Sequence, residues 1–246
     1  MSAFYPEETK KLDVISHLEE LRKRILFCLV AFLIASIFSF TKSDLIMIAM
    51  RRPLKDLIAE LIFISPTEAF IAYIKIALLA GFIISFPVIL YNTWAFLSPA
   101  VPKATRRRIA VWLLFALVFF FSGITFSYFV AIPLALNFLI GFGREVASPK
   151  ITLGNYISFF GALTLVGGII FEIPIAMGLL ADAGLLRTSY LRRKRHYAVL
   201  VILVFAAIIT PTQDIMNMLL FAVPMIVLYE VGLIVARAAE KRKDNK

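Results

Sequence analysis

Charge is scarce in this chain, and histidine and cysteine are nearly missing. Of 246 residues only 17% are Asp, Glu, Lys or Arg; there are two histidines, His17 and His196, and one cysteine, Cys28. A single cysteine excludes an internal disulfide and any metal site built from cysteines. Both histidines flank apolar runs, so a Ser-His pair, an H-E-x-x-H zinc helix and an axial haem histidine are all excluded from the interior of a membrane. No G-x-x-x-x-G-K-[ST] loop occurs, which removes nucleotide hydrolysis by that route. The expectation is a protein with no cofactor, no metal and no catalytic residues, hence not an enzyme. Met1 to Glu8 shows neither the charged-then-apolar order of a secretory leader nor an Arg-rich transit pattern, so no cleaved segment is expected.

What is abundant is hydrophobicity. The chain is 61% hydrophobic with a mean hydropathy of +0.90, outside the range of soluble domains. A single integral membrane domain of helices, 1–246, is expected. A formal charge of +10 would suggest nucleic acid for a soluble chain. Here the basic residues first have to be sorted by membrane side, the lipid bilayer is the expected environment, and no nucleic-acid partner is expected.

At about 20 apolar residues per crossing, the runs predict spans near 25–41, 69–91, 109–132, 156–180, 197–210 and 215–236. The last two read as a tight hairpin; 14 residues at 1.5 Å each give only about 21 Å, short of the ~30 Å core. Between the first two spans, Leu54, Leu57, Ile58 and Leu61 recur at helical spacing, which predicts an amphipathic segment at the interface. Ser65, Pro66 and Glu68 fit N-cap, first and third positions of the second span. With the N-terminus in the cytoplasm, only Lys42, Arg51, Arg52, Lys55, Lys75, Arg144 and Lys150 of the 26 basic residues fall outside cytoplasmic segments. That asymmetry predicts six spans with both termini inside. Prolines at Pro87, Pro133, Pro174, Pro211 and Pro224 predict bent helices forming a curved wall.

Two places carry candidate chemistry. Ser16 to Arg24, Ser-His-Leu-Glu-Glu-Leu-Arg-Lys-Arg, crowds charge just before the first apolar run. Ser16 with Glu19 fits a capping box. Glu20 then has only Arg24 at i+4, a pair worth a few tenths of a kcal/mol, and its carboxylate is available to an incoming cation. The other place is Glu172, the one carboxylate well inside a predicted span and by default a functional group whose partner must be sought. Thr164 and Gln213 are polar candidates; the competing reading is a protonated carboxyl closing a hydrogen bond between helices. Asp214 sits in the predicted external turn, where an N-cap role also fits.

The segment His17-Leu18-Glu19-Glu20-Leu21-Arg22-Lys23-Arg24 resembles the N-terminal signature of the TatC family, a component of the twin-arginine protein translocase. Ser65-Pro66-Thr67-Glu68, Tyr91 to Phe96 with Pro99, Phe171-Glu172-Ile173-Pro174, Thr210-Pro211 with Asp214, and Pro224 with Leu228-Tyr229-Glu230 are similar to later family landmarks, in the same order. The resemblance implies a six-span, glove-shaped receptor in a bacterial or archaeal cytoplasmic (inner) membrane. It would bind Arg-Arg signal peptides of folded precursors and assemble with single-span subunits of the TatA and TatB type, as a homo-oligomer within a complex driven by the proton-motive force. By the same resemblance Glu20, Arg22 and Phe96 are signal-peptide-binding residues, Glu172 the functional membrane glutamate, and Pro53 and Asp214 functional residues of the external loops. The alternative from another class is a proton-coupled secondary transporter with Glu172 as carrier.

One position departs from the pattern. Where family members carry a second recognition glutamate after the loop proline, this chain has Thr105. A hydroxyl offers a guanidinium neither charge nor a bidentate fork. Thr105→Glu is therefore expected to tighten binding of a twin-arginine peptide in titrations of the purified protein; weaker binding by the variant would show that this loop uses other chemistry.

Overall fold

In the computed structural model the described residues are 6–54, 57, 60–100, 108–143, 150–209 and 215–244. Their regular structure is helical, apart from one isolated bridge between Ile62 and Thr152. In chain order the helices are α1 (Pro6–Phe40), α2 (Ser43–Arg51), α3 (Pro66–Leu97), α4 (Ile109–Phe126), α5 (Ile132–Gly143), α6 (Leu153–Phe171), α7 (Ile173–Ala183), α8 (Thr188–Arg193), α9 (Arg195–Ile209) and α10 (Ile215–Asp244).

Five stretches are long and apolar enough to cross a membrane: Ile15–Phe40, Pro66–Leu97, Ala110–Gly141, Leu153–Ala183 and Phe221–Lys241. The protein is a multi-pass membrane protein. Helices suit this setting because each satisfies its own backbone hydrogen bonds where no water is present. α9 is also apolar but has 15 residues, about 22 Å at 1.5 Å per residue.

The crossing helices are interrupted where the sequence contains breakers. A single π-helical turn, Ser127–Ala131, separates α4 from α5 just before Pro133. Glu172 interrupts α6 and α7, with Pro174 in the first turn of α7; a proline there cannot donate to the carbonyl four residues back. Pro87 and Pro224 lie inside α3 and α10. α7 ends on Gly184, whose φ of 81° is the left-handed conformation that glycine adopts at a helix end.

One local expectation changes. Ser16 is no helix cap, because α1 begins at Pro6 and carries Ser16 in its interior; Glu19 instead lies 3.0 Å from Lys23, an i,i+4 pair. The amphipathic segment expected across Leu54 to Leu61 lies largely outside the described residues, Ile58 included; Leu54 closes a short 3-10 turn, and Leu54, Leu57 and Leu61 belong to the core. Ahead of it, α2 buries Met47 and Met50, and after it Ile62 lies in the bridge to Thr152. The second helix of the expected short hairpin is long: α10 has 30 residues. Its polar tail packs back on the chain, with Thr188 Oγ1 donating to Glu240 Oε2 and Tyr229 donating to the Leu191 carbonyl.

α1 packs along α3, and α7 along α10. The first contact is closest at Gly81, where an added Cβ would lie 2.7 Å from the Cα and 2.8 Å from the N of Ser36. Backbone cannot yield as a side-chain tip would. Gly81→Ala is expected to lower stability by about 1–3 kcal/mol. Gly141→Ala, with nothing within 4 Å of the new methyl, is expected to leave it unchanged. Thermal unfolding in detergent compares the two, and equal melting temperatures would show that the α1–α3 contact opens at no cost.

Candidate functional site

The α1–α3 contact sets the N-terminal third of α1 beside the last turn of α3. The His17 and Phe96 rings stack there, with centroids 4.4 Å apart and planes 17° from parallel. Glu20, one turn along from His17, is held by Arg24, one turn further. Arg24 Nε donates to Glu20 Oε1 at 2.9 Å and Nη2 donates to the same oxygen at 2.5 Å. Both bonds use one carboxylate oxygen. The other, Oε2, has His17 Nδ1 at 3.9 Å, beyond hydrogen-bonding distance. With the side chains of Glu20 and Arg24 36% and 27% exposed, one face of a carboxylate is offered to solvent beside an aromatic pair. Such a site suits a guanidinium, which takes a carboxylate in plane and stacks on rings.

An open groove of about 410 Å³ runs from this cluster along the α1–α3 seam. Leu21, Ile25, Leu29 and Phe32 line one wall, and Phe82, Ile89, Asn92 and Phe96 the other. Asn92 donates its amide to the Val88 carbonyl, leaving the wall effectively apolar. A ligand with a cationic head and an apolar continuation matches both parts.

Structure thus brings together Glu20 and Phe96, 76 positions apart in the chain. Arg22, exposed and two residues from Glu20, projects from another side of α1. Thr105 and Asp214 lie outside the described residues, as does Gln213. Pro53 belongs to the 3-10 turn after α2, beyond the far end of α1; the twenty residues from Glu20 to Phe40 alone span about 30 Å. That far end is fastened by Tyr128 donating to the Ala49 carbonyl and Tyr156 donating to the Met50 carbonyl. Glu172 is part-buried at the α6–α7 break, and its Oε1 is buried with no hydrogen-bond partner among the described residues. Thr164 does not supply one, because its hydroxyl donates to Phe160 in its own helix.

Sequence reasoning passed over His17, although it precedes Glu20 by three residues and so shares its face. It also missed a buried node. The Asp182 side chain is fully buried with Arg108 Nη1 2.7 Å from Oδ1, while the Trp112 indole donates to Oδ2 at 3.2 Å. These residues join the start of α4 to the end of α7. No spacing rule links positions 70 and 74 apart, so no local signal was available.

A family model described as TatC, Sec-independent protein translocase protein, matches residues 16–224. Among curated relatives, the Sec-independent protein translocase protein TatC of Carboxydothermus hydrogenoformans is 36% identical over 230 residues, 94% of this chain and 95% of that protein. Its namesake from Koribacter versatilis is 38% identical over 98% of this chain and 90% of that one, and that from Aquifex aeolicus 36% over 94% and 98%. A crystal structure of the twin arginine translocase receptor TatC superposes with a TM-score of 0.77 at 37% identity, covering 91% of this chain and 99% of that one. Another, in DDM, gives 0.80 at 38%, covering 89% and 99%.

The two charge clusters differ in burial, which separates their stability effects. Arg108→Gln removes the charge partner of a fully buried carboxylate and is expected to cost about 3–5 kcal/mol. Arg24→Gln breaks a partly exposed helical pair and is expected to cost under about 1 kcal/mol. Denaturant unfolding in micelles measures both; equal losses would show that Asp182 draws its stabilisation from groups other than Arg108.

Proposed function

Since the chain belongs to the TatC family of Sec-independent protein translocase proteins, we propose that it is the receptor and core subunit of a twin-arginine translocase. It binds Arg-Arg signal peptides at the end of α1 and α3 and acts in the transport of folded proteins. Membership of a protein-translocating family leaves the small-substrate transporter reading without support. The observation that carries the receptor reading is the half-used Glu20 carboxylate beside the His17–Phe96 stack, at the mouth of an apolar groove.

In this reading an incoming arginine pairs with Glu20 Oε2, or displaces Arg24, and lies against Phe96. The exchange is inexpensive, because an exposed i,i+4 ion pair contributes only about 0.3–0.5 kcal/mol. Arg22 adds specificity from the neighbouring surface, and Thr105 brings a hydroxyl where a second carboxylate would strengthen the grip. The apolar part of the signal follows the groove. α9 completes a six-span arrangement with both termini in the cytoplasm of a bacterial or archaeal cell, and single-span subunits of the TatA and TatB type assemble around the bundle. The chain acts without cofactor or catalysis, the proton-motive force supplying the energy. Glu172 is the intramembrane functional carboxyl, and Pro53 and Asp214 act at the opposite side.

Glu20→Gln keeps the size of the side chain and removes its charge. It is expected to lower crosslinking of a twin-arginine peptide at least ten-fold, from loss of a charge-assisted pair of about 1.5–3 kcal/mol, with the melting temperature little changed. Crosslinking at the wild-type level would remove Glu20 from the site.

A further inference from the structure

A second charged feature stands apart from the Glu20 cluster. Lys75 is the tenth residue of α3, about 14 Å along the axis from its start. Its ammonium donates to the Ser158 hydroxyl of α6 at 2.7 Å, and that hydroxyl is already committed as a donor to the Gly154 carbonyl. Among the described residues no carboxylate lies within ion-pair distance of Lys75. Two acids at this end of the fold are occupied. Asp44 accepts from the Tyr73 hydroxyl at 3.0 Å, and Glu68 accepts the backbone N–H groups of Ile64 and Gly154. A cation is thus held by one neutral oxygen in a membrane-spanning segment, where an unpaired charge is costly.

The surroundings describe what would complete it. Lys75 stands over an open, apolar groove of about 320 Å³ between α3 and α6, walled by Phe32, Leu78, Phe82, Ile157 and Leu165. Depth follows from the Tyr73–Asp44 bond. Asp44 lies in the first turn of α2, just after the end of α1, so its bond to Tyr73 marks the level at which the first crossing helix ends. Lys75 is two residues, about 3 Å, further in. This is the boundary between headgroups and acyl chains, not the mid-membrane depth at which a partner helix would present a buried carboxylate.

We propose that Lys75 and the groove beneath it form a binding site for an anionic phospholipid of the leaflet at the α2 end. The phosphate pairs with the Lys75 ammonium and accepts from it in place of Ser158, and an acyl chain lies along Phe32 and Phe82. A basic residue set between crossing helices over an apolar groove is the arrangement by which membrane proteins hold acidic headgroups. The site uses neither Glu20 nor Phe96, but its groove shares Phe32 and Phe82 with the groove beside them; lipid retention by the purified chain tests it without a signal peptide.

The test titrates the detergent-purified full chain with phosphatidylglycerol or phosphatidylcholine and counts retained lipid by native mass spectrometry. Wild type is expected to hold phosphatidylglycerol about five-fold more tightly than phosphatidylcholine; Lys75→Gln abolishes the preference and Lys75→Arg keeps it. Inorganic phosphate at matched concentration is expected not to compete. Should Lys75→Gln fail to fold, protection of wild-type Lys75 from an amine-reactive reagent provides the same reading: phosphatidylglycerol protects and phosphatidylcholine does not. Equal retention by wild type and Lys75→Gln, absence of protection, competition by inorganic phosphate alone, or displacement of the lipid by an apolar helix bearing one carboxylate would each overturn the assignment.

Discussion

The approach of α3 to α1 at Gly81 and Ser36 is the contact on which the candidate site depends. Within a bilayer the hydrophobic effect does not drive helices together, so association rests on close packing, and small residues decide where it occurs. Here the closest point lies near the middle of α3. From it the two helices continue side by side toward Glu20 and Phe96, leaving a seam wide enough for the groove. The His17–Phe96 stack closes the mouth. Glu20 owes its position to helix–helix geometry more than to its own hydrogen bonds.

Charge is buried at helix ends in one location and exposed in mid-helix in another, and the difference separates a structural bridge from an exchangeable one. Arg108 stands at the start of α4 and Asp182 in the last turn of α7, each the sign that a helix terminus disfavours. Neither gains from its own helix, so the pair is retained for the tertiary link between two loops at this end of the bundle. Glu20 is the opposite case. It is mid-helix, accessible and held by a neighbour on the same helix through a single oxygen. A buried bridge resists exchange, whereas an exposed one allows it.

Much of the fold was legible because membrane helices announce themselves by length and apolarity. The break before Pro174 was legible too, since proline acts through its own backbone, whereas the third span, expected to end at 132, runs past Pro133 to Gly141. What could not be read followed from contacts distant in sequence. The capping box at Ser16 was a correct local pattern overruled by a helix already under way from Pro6. The helix Ser43–Arg51, anchored by Tyr128 between α4 and α5 and by Tyr156 of α6, was not among the expected elements, because what fastens it is distant in sequence. At the site, Glu20 and Arg24 were visible as an i,i+4 pair. The stacking of His17 on Phe96 required the α1–α3 packing, which no periodicity encodes.

The membrane-embedded charges complete a pattern that none of them shows alone. Lys75 lies about 14 Å from the start of α3, and Glu172 about 28 Å from the start of α6, so the two occupy opposite halves of the bundle's thickness. A long lysine stem reaches the nearer surface, and a helix break frees backbone polar groups beside a carboxyl. The grooves beside Arg24 and Lys75 share Phe32 and Phe82, and their walls are mostly phenylalanine, leucine and isoleucine. The apolar trough is therefore bounded by charge at each end, with Glu20 and Arg24 at one mouth and Lys75 at the other. The two mouths differ in sign: Glu20 offers a carboxylate oxygen with no hydrogen bond from Arg24, which suits a cation, and the Lys75 ammonium suits an anion.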